Sequence, residues 1–267
     1  MSPPNAAQTA RERARAELTR EIKEEARRQL ASVGANGLSL RAVARSLGMV
    51  PSALYRYFPS RDDLLTSLII DAYNALGDAV EAAAASVAPT DARARWMTVC
   101  RATRSWALAN PHEYALIYGS PVPGYRAPEA TIAPAARLPL AFLRVLRDAA
   151  ATGHLTPRRL DAAPPPGRQT APRLDAAPPP EVRDPAPAVL PLDGPLAGQA
   201  AALAAAVDEP GAPRLPPEAL VRAVIAWTQL FGMVSFELFG QFVGSFEPAD
   251  AFFDHAVAQM AAFVGLR

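Results

Sequence analysis

The strongest constraint on the fold is a pair of short apolar helix patterns separated by a tight turn, within residues 39–58. Ser39 offers a hydroxyl that caps the sequence LRAVARSLG, and Gly48 permits a sharp turn. Pro51 suits the first turn of the next helix, PSALYRYF, because its missing N–H has no partner there anyway. The inward positions are Leu40, Val43, Ala44, Leu47, Leu54 and Phe58. The pattern predicts a helix, a tight turn and a short helix.

Longer helices are predicted on both sides of this pair. Apolar residues recur at three- and four-residue steps over 9–33, and Gly34 and Gly37 follow them. After Pro59, Ser60 caps a fourth helix from Arg61 to about Ser86. We therefore expect a flexible tail over 1–9 and a three-helix helix-turn-helix domain over 10–60.

The net charge of the chain changes sign near the end of the predicted helix-turn-helix domain, at Arg61. Up to Arg61 there are 11 Lys and Arg against 5 Asp and Glu, a net charge of +6, whereas the remainder has 16 against 21, or −5. A basic head on an acidic body suggests a polyanionic partner for the head, since phosphate neutralisation dominates nucleic-acid affinity. Ordinary solvated arginines are the alternative explanation.

The remaining residues, 61–267, predict further helices, because alanine is abundant and aromatic residues make up only 7% of the chain. Helical patterns cover 91–109, a short stretch after Pro111, 132–151, and two hydrophobic blocks that begin at Pro217 and Pro248. Residues 157–217 are rich in Pro and Ala and repeat RLDAAPPP. We expect this stretch to be a disordered insertion, with an isolated helical segment near 196–207. The fold class is all-α.

Several functional classes lack support in the sequence. The single cysteine, Cys100, excludes an intramolecular disulfide framework and multi-cysteine zinc sites, and we expect it in the core. Three scattered histidines and the absence of a Gly-rich phosphate loop argue against an enzyme, a metal site or a cofactor. Neither a secretory signal nor an apolar run of membrane-spanning length is evident, which predicts a cytoplasmic protein.

The run SLRAVARSLGMVPSALYRYFPSRDDLL resembles the DNA-binding signature of the TetR/AcrR family of bacterial regulators. NPHEYALIYGSPVPGYRAP and AWTQLFGMVSFELFGQF resemble the C-terminal ligand-binding domain of its WHG subgroup, named for Trp, His and Gly. Trp227 and Gly232 match that pattern, but Phe231 stands at the histidine position, which implies a more apolar pocket. The Pro-rich stretch has no counterpart in this resemblance.

In a helix-turn-helix the second helix enters the major groove and flanking groups hold phosphates. This assigns to the groove Val50, Pro51, Ser52, Ala53 and Tyr55. Arg41 lies where the family places a base-contacting arginine, and guanine suits its guanidinium. Phosphate contacts are expected from Ser39, Tyr55, Tyr57 and Arg61, with Arg45 and Arg56 as weaker candidates. A core position for Tyr55 and a solvated one for Arg45 are the alternatives.

The resemblance implies a repressor that binds a pseudo-palindromic operator on double-stranded DNA as a homodimer and is released by a small apolar ligand. Dimerisation through the last two helices would cover their many apolar residues; burial within one chain is the alternative. The aromatic candidates for the ligand pocket are Trp96, Trp106, Tyr114, Tyr118, Trp227 and Phe231, although aromatic stripes also occur in plain cores. An all-α adaptor or ligand-binding protein without DNA regulation is the competing function.

Overall fold

We analysed a computed structural model of the chain, which describes residues 6–155 and 192–266. The described residues form helices and the loops that connect them, with no β-strand among them. An isolated antiparallel bridge pairs Leu155 with Leu266. The all-α prediction is confirmed. The helices are α1 Ala6–Gly37, α2 Leu40–Ser46, α3 Pro51–Leu54, α4 Arg61–Ala85, α5 Ala92–Ala109, α6 Pro111–Tyr118, α7 Ile132–Ala151, α8 Gly194–Ala206, α9 Pro217–Leu238 and α10 Asp250–Phe263.

The first helix is longer than predicted. Helix α1 begins at Ala6, within the segment expected to be a tail, and reaches Gly37 across a kink at Gly34, whose φ is +68°. Ile22, Ala26 and Leu30 are buried as the spacing predicted, whereas Val33 is 57% exposed beside the kink. The kink therefore ends the buried stripe of α1 one turn early.

The predicted caps and turn of the helix-turn-helix are confirmed. The Ala42 N–H donates to Ser39 Oγ over 3.4 Å, and the Asp63 N–H donates to Ser60 Oγ over 3.1 Å. Gly48 has a φ of +65°, which an L side chain adopts only with strain. Regular α-helix ends at Leu54 rather than Phe58, and the next residues form tighter turns in which the Arg56 N–H donates to the Ala53 carbonyl and the Tyr57 N–H donates to the Leu54 carbonyl.

The body and the head have separate hydrophobic cores that share α4. Its first turns place Leu64, Leu65 and Leu68 in the head core with α1, α2 and α3. From Ala72 onward, the same helix contributes to the body core with α5, α7, α9 and α10. The body core includes Cys100, which is completely buried as expected, and burial raises the pKa of its thiol.

An arginine fastens α7 to α4. The guanidinium of Arg137 contacts Glu81 at 2.7 Å and Asp78 at 2.6 Å. It lies so close to Gly77 that a Cβ there would be 2.6 Å from Arg137 Nε. The missing side chain of Gly77 therefore gives the guanidinium room against the backbone of α4.

The C-terminal part of the predicted insertion is folded, which corrects the expectation of disorder over 157–217. Helix α8 packs on α9, with Ala200 buried and Leu203 and Val207 partly buried against the body core. The stretch is rich in alanine, the best helix former, and its apolar residues pack against α9. Residues 157–191 of the predicted insertion lie outside the described residues.

Among the described helices, α9 is long and apolar enough by length and composition to cross a membrane. Core helices of soluble proteins pass the same test, and 44% of the tested window is buried here. The expectation that no segment reaches this threshold was wrong, although the signal of a single such helix is weak.

Candidate nucleic-acid interface

The predicted groove-facing residues form one exposed surface on α2 and α3. Arg41, Pro51 and Ser52 are exposed, as are Val50 at 65% and Tyr55 at 41%, whereas Ala53 is partly buried. Leu54 and Phe58 are buried beneath them and anchor α3 to the head core. Tyr55 is therefore not a core residue, and its side chain is exposed to solvent like that of Arg41.

Two of the predicted phosphate-contacting residues flank this surface. Ser39 Oγ accepts the Ala42 N–H, which leaves the hydroxyl proton available to an external acceptor. Tyr57 is partly buried, and the guanidinium carbon of Arg15 lies 5.2 Å from its ring centroid. Arg15 also donates to the Arg56 carbonyl over 3.3 Å, so the N-terminal half of α1 borders the interface. Sequence reasoning missed Arg15, because the arginines at 11, 13 and 15 look alike without the fold.

The guanidinium of Arg61, which was expected to contact a phosphate, contacts backbone carbonyls instead. Its Nη2 donates to the Ala35 carbonyl over 2.7 Å and its Nε donates to the Leu38 carbonyl over 3.1 Å. These carbonyls lie at the end of α1 and just before α2, so the guanidinium caps a helix end and joins it to α4. This geometry favours a structural role for Arg61 over a phosphate contact.

A network of ion pairs ties the head to the body. Lys23 Nζ lies 3.0 Å from Asp71 Oδ1, and Arg27 Nη2 lies 2.9 Å from Asp71 Oδ2. Arg27 Nε also lies 2.9 Å from Glu113 Oε1, so α1 contacts both α4 and α6. This network was not predictable from the sequence, because Arg27 and Glu113 are 86 residues apart.

Four of the six predicted pocket residues form an aromatic cluster inside the body. The ring centroids of Tyr118 and Phe231 are 4.1 Å apart, those of Trp227 and Phe231 are 5.3 Å apart, and Tyr114 lies 5.4 Å from Tyr118. Tyr73 of α4 joins the cluster edge-on at 6.1 Å from Tyr118. The cluster therefore links α9 to α6 and α4.

The other two predicted pocket residues, Trp96 and Trp106, lie elsewhere. Trp96 is 1% exposed and packs against Phe142 at 4.9 Å, whereas Trp106 is 8% exposed within the body core. Both are positioned as core residues, which was the alternative reading of the aromatic stripe.

The tyrosines of the cluster are neutral hydrogen-bonding groups. Burial raises the pKa of Tyr73, Tyr114 and Tyr118, so all three phenols keep their protons at neutral pH. The Tyr114 hydroxyl lies 2.8 Å from Ser235 Oγ and donates to the Phe231 carbonyl over 3.2 Å. At the position where the resemblance implies histidine, Phe231 contributes only its ring and this carbonyl.

Two cavities adjoin this region. One of about 680 Å³ lies between α4, α6, the loop over 119–127 and the start of α7, with Tyr73 and Tyr125 in its wall. Another of about 320 Å³ lies between α7, α8 and α9, and Trp227 lines it. Within the described part of the chain, no group of three His, Cys, Asp or Glu residues could hold a metal ion.

Comparison with known families assigns both halves of the chain. Residues 22–68 match the family of bacterial regulatory proteins of the tetR type. Residues 96–260, more than half of the chain, match the tetracyclin repressor-like C-terminal domain. The chain belongs to the TetR family. Members of this family are bacterial regulatory proteins with a helix-turn-helix DNA-binding domain, a class of protein that is typically non-enzymatic.

Relatives of this TetR-family chain are also regulators. It is 47% identical over 156 residues to HTH-type transcriptional regulators of Mycobacterium bovis and Mycobacterium tuberculosis, Mb1846 and Rv1816. The match covers 57% of this chain and 65% of those relatives, slightly less than two thirds of their length.

Solved structures share the fold. SCO4313, described as a regulatory protein, is similar with a TM-score of 0.66 and 34% identity, over 98% of this chain and 100% of that one. A tetR-family structure from Shewanella sp. PV-4 has a TM-score of 0.52 at 18% identity, over 92% of this chain and 95% of that one, and supports the fold alone.

Proposed function

We propose that this TetR-family regulator is a cytoplasmic repressor that binds a pseudo-palindromic operator as a homodimer and is released by a small apolar ligand. The observation that carries the DNA-binding part is the exposed surface of Arg41, Val50, Pro51, Ser52 and Tyr55 above a buried anchor. Val50 is 65% exposed, so its methyl groups are free to contact an apolar group of DNA such as a thymine methyl.

The chemistry of this surface suggests how bases would be read. The guanidinium of Arg41 matches the two acceptors of guanine, whereas Val50, Pro51 and Ala53 offer only carbon to thymine methyl groups. Ser52 contributes the one side-chain hydroxyl at the start of α3. Direct readout would rest on Arg41 and on apolar contacts, with phosphate contacts from Ser39, Tyr55 and Tyr57 fixing the register.

A homodimer is supported by an apolar stripe on α9. Ile225, Phe236 and Phe239 are 47 to 55% exposed, and Thr228 and Gly232 lie between them on the same face. Apart from its own stretch of helix, no atom in the described part of the chain lies within 4 Å of a Cβ placed on Gly232, so a second helix has room to approach its backbone. Two-fold pairing of this face would place two recognition helices on half-sites about 34 to 36 Å apart.

Ligand release is supported by the route from the aromatic cluster to the head. Tyr114 and Tyr118 lie on α6, which also carries Glu113, and Glu113 pairs with Arg27 of α1. Suppose that α6 has two arrangements, each coupled to a different position of the head. A ligand that binds one arrangement more tightly would shift the equilibrium between them by its difference in affinity.

The proposal is tested by measuring the affinity for the operator, identified by selection from genomic DNA, at several salt concentrations. We expect the Arg41→Ala, Tyr55→Ala double variant to bind at least 100-fold more weakly, since a bidentate base contact contributes roughly 1–3 kcal/mol and a charge-assisted phosphate contact adds to it. Arg93, an exposed arginine on α5, provides the matched control, and its alanine variant should bind normally. Failure of the unaltered protein to retain any genomic fragment at low salt would instead favour an adaptor without DNA regulation.

A further inference from the structure

The N-terminal part of α1 extends beyond the hydrophobic core of the head. Leu18 is the first described residue of α1 that packs against this core, although the helix begins at Ala6. At 1.5 Å per residue, residues 6–17 form a helical segment about 18 Å long, which we call the arm. The side chains of residues 10–17 are all exposed to solvent, so packing within the head does not account for this segment.

The arginines of the arm point to different sides of the helix. Arg15 precedes Leu18 by three residues and Arg11 precedes Arg15 by four, so both lie on the side of α1 that faces the head. Arg13 is two residues from each of them, about 200° around the helix, and so lies on nearly the opposite side. The buried stripe of α1 therefore continues into the arm as a pair of positive charges.

Arg15 is held next to the end of α3 by two contacts. Its guanidinium carbon lies 5.2 Å from the centroid of the Tyr57 ring, and its Nη2 donates to the Arg56 carbonyl over 3.3 Å. A guanidinium has five N–H donors, so most of them remain available. Within the described part of the chain Arg15 forms no ion pair with a carboxylate, unlike the basic residues further along α1. An anion from outside the chain can therefore bind this side chain.

The anion that this position favours is a DNA phosphate. DNA bound on α2 and α3 would bring phosphates to Tyr57, and guanidinium groups bind phosphate through paired N–H···O bonds. Arg11 lies one turn, about 6 Å, further along the arm, where it can meet a second phosphate. Contact with the Tyr57 ring restricts the long side chain of Arg15 before DNA arrives, which reduces the entropy lost on binding.

We propose that the arm is a second DNA-binding element, in which Arg11 and Arg15 bind phosphates beyond those of the helix-turn-helix and the Tyr57 ring orients Arg15. This rests on the proposed function, because it requires that α2 and α3 bind operator DNA. Phosphate contacts carry no base information, so the arm adds affinity and fixes the position of the head without changing the sequence preference.

The arm is tested by the salt dependence of operator affinity, measured by fluorescence anisotropy from about 50 to 200 mM salt. Arg11→Ala and Arg15→Ala should each lower the slope of log affinity against log salt concentration by about one per protomer. Over this range each variant dimer should lose roughly ten-fold less affinity than the unaltered protein. Arg13→Ala removes the same charge from the other side of the arm and is the matched control, with an unchanged slope.

The role of the Tyr57 ring is tested with a double-mutant cycle. Tyr57→Phe keeps the ring, so Arg15→Ala should weaken operator binding as much in this background as in the unaltered protein. Tyr57→Leu keeps an apolar side chain at this partly buried position but removes the ring. The effect of Arg15→Ala should then shrink by about two- to five-fold per protomer, the factor that an exposed cation–π contact supplies. Equal effects in both backgrounds would show that the ring does not orient Arg15.

The phosphates involved are located by neutralising them one at a time with methylphosphonate. We expect positions in each half-site where this change weakens binding of the unaltered protein but not of the Arg11→Ala, Arg15→Ala variant. The inference is overturned if this variant keeps the salt slope of the unaltered protein, or if Arg13→Ala lowers the slope as much. It is also overturned if base changes, rather than neutral phosphates, remove the contribution of the arm. The Arg41→Ala, Tyr55→Ala variant tests the helix-turn-helix separately, so the proposed function can stand when the arm fails.

Discussion

Replacing Arg61 by alanine tests whether its guanidinium stabilises the fold or contacts a DNA phosphate. The two shortest hydrogen bonds of its guanidinium go to the carbonyls of Ala35 at 2.7 Å and Leu38 at 3.1 Å. A hydrogen bond from a charged group contributes roughly 1.5–3 kcal/mol. The side chain is 31% exposed, so water replaces part of what is lost. We therefore expect the free energy of unfolding to fall by about 2 kcal/mol.

For a chain of this size, about 2 kcal/mol corresponds to a decrease in Tm of about 4–8 °C, measurable by thermal denaturation followed by circular dichroism. The slope of log affinity against log salt concentration should stay unchanged for the operator, since no phosphate contact is lost. Arg61→Lys should not restore stability, because an ammonium cannot span both carbonyls as the planar guanidinium does.

A changed salt dependence of operator affinity with an unchanged Tm would refute the structural role of Arg61. If Arg61 neutralised a phosphate, Arg61→Ala would reduce the salt slope by about one per protomer and Arg61→Lys would restore it. An unchanged Tm together with such a slope change would show that the guanidinium leaves the carbonyls when DNA binds.

Two further predictions concern stability alone. Gly48 has a φ of +65° and open space around its Cβ position, so Gly48→Ala should cost about 1–2 kcal/mol of folding free energy through backbone strain. Gly48→Asn, whose side chain tolerates this conformation, should cost less in the same denaturant titration; equal losses would argue against strain as the cause. The hydrogen bond from Arg137 holds the pKa of Glu81 below its ordinary value of 4.5, so this carboxylate stabilises the fold above that pH and stops doing so as pH falls through its folded pKa. Glu81→Gln should therefore be less stable than the unaltered protein at neutral pH, with the difference shrinking below about pH 4.5, and a constant difference across that range would contradict the assignment.

The elements that the sequence predicted well are those specified by neighbouring residues. The cap by Ser39, the turn at Gly48 and the cap by Ser60 each depend on groups within a few positions, and the structure has all three. The exposed surface on α2 and α3 follows from the same local periodicity, because Leu54 and Phe58 face inward and leave the opposite side to solvent.

The structure departs from the sequence-based expectations where contacts between distant parts of the chain decide the outcome. A basic residue at the start of a helix can face phosphate or carbonyl oxygens, and the position of α1 directs Arg61 to the carbonyls. Aromatic spacing does not tell a pocket from a core, so Trp96 was indistinguishable from Trp227. The helix over 194–206 was underestimated because its stability depends on the face of α9. The links from Arg27 to Glu113 and from Gly77 to Arg137 also depend on the fold.

Helix α4 belongs to both hydrophobic cores, so in a two-fold assembly it would act as a lever between them. Its 25 residues span about 37 Å, so a rotation of about 5° about its body end would displace its head end by about 3 Å. That displacement approaches the rise of a single base pair. In a two-fold assembly the displacement would occur on both sides, so small repacking around Ala72 to Ala84 would change the separation of the two heads by more than one step along DNA.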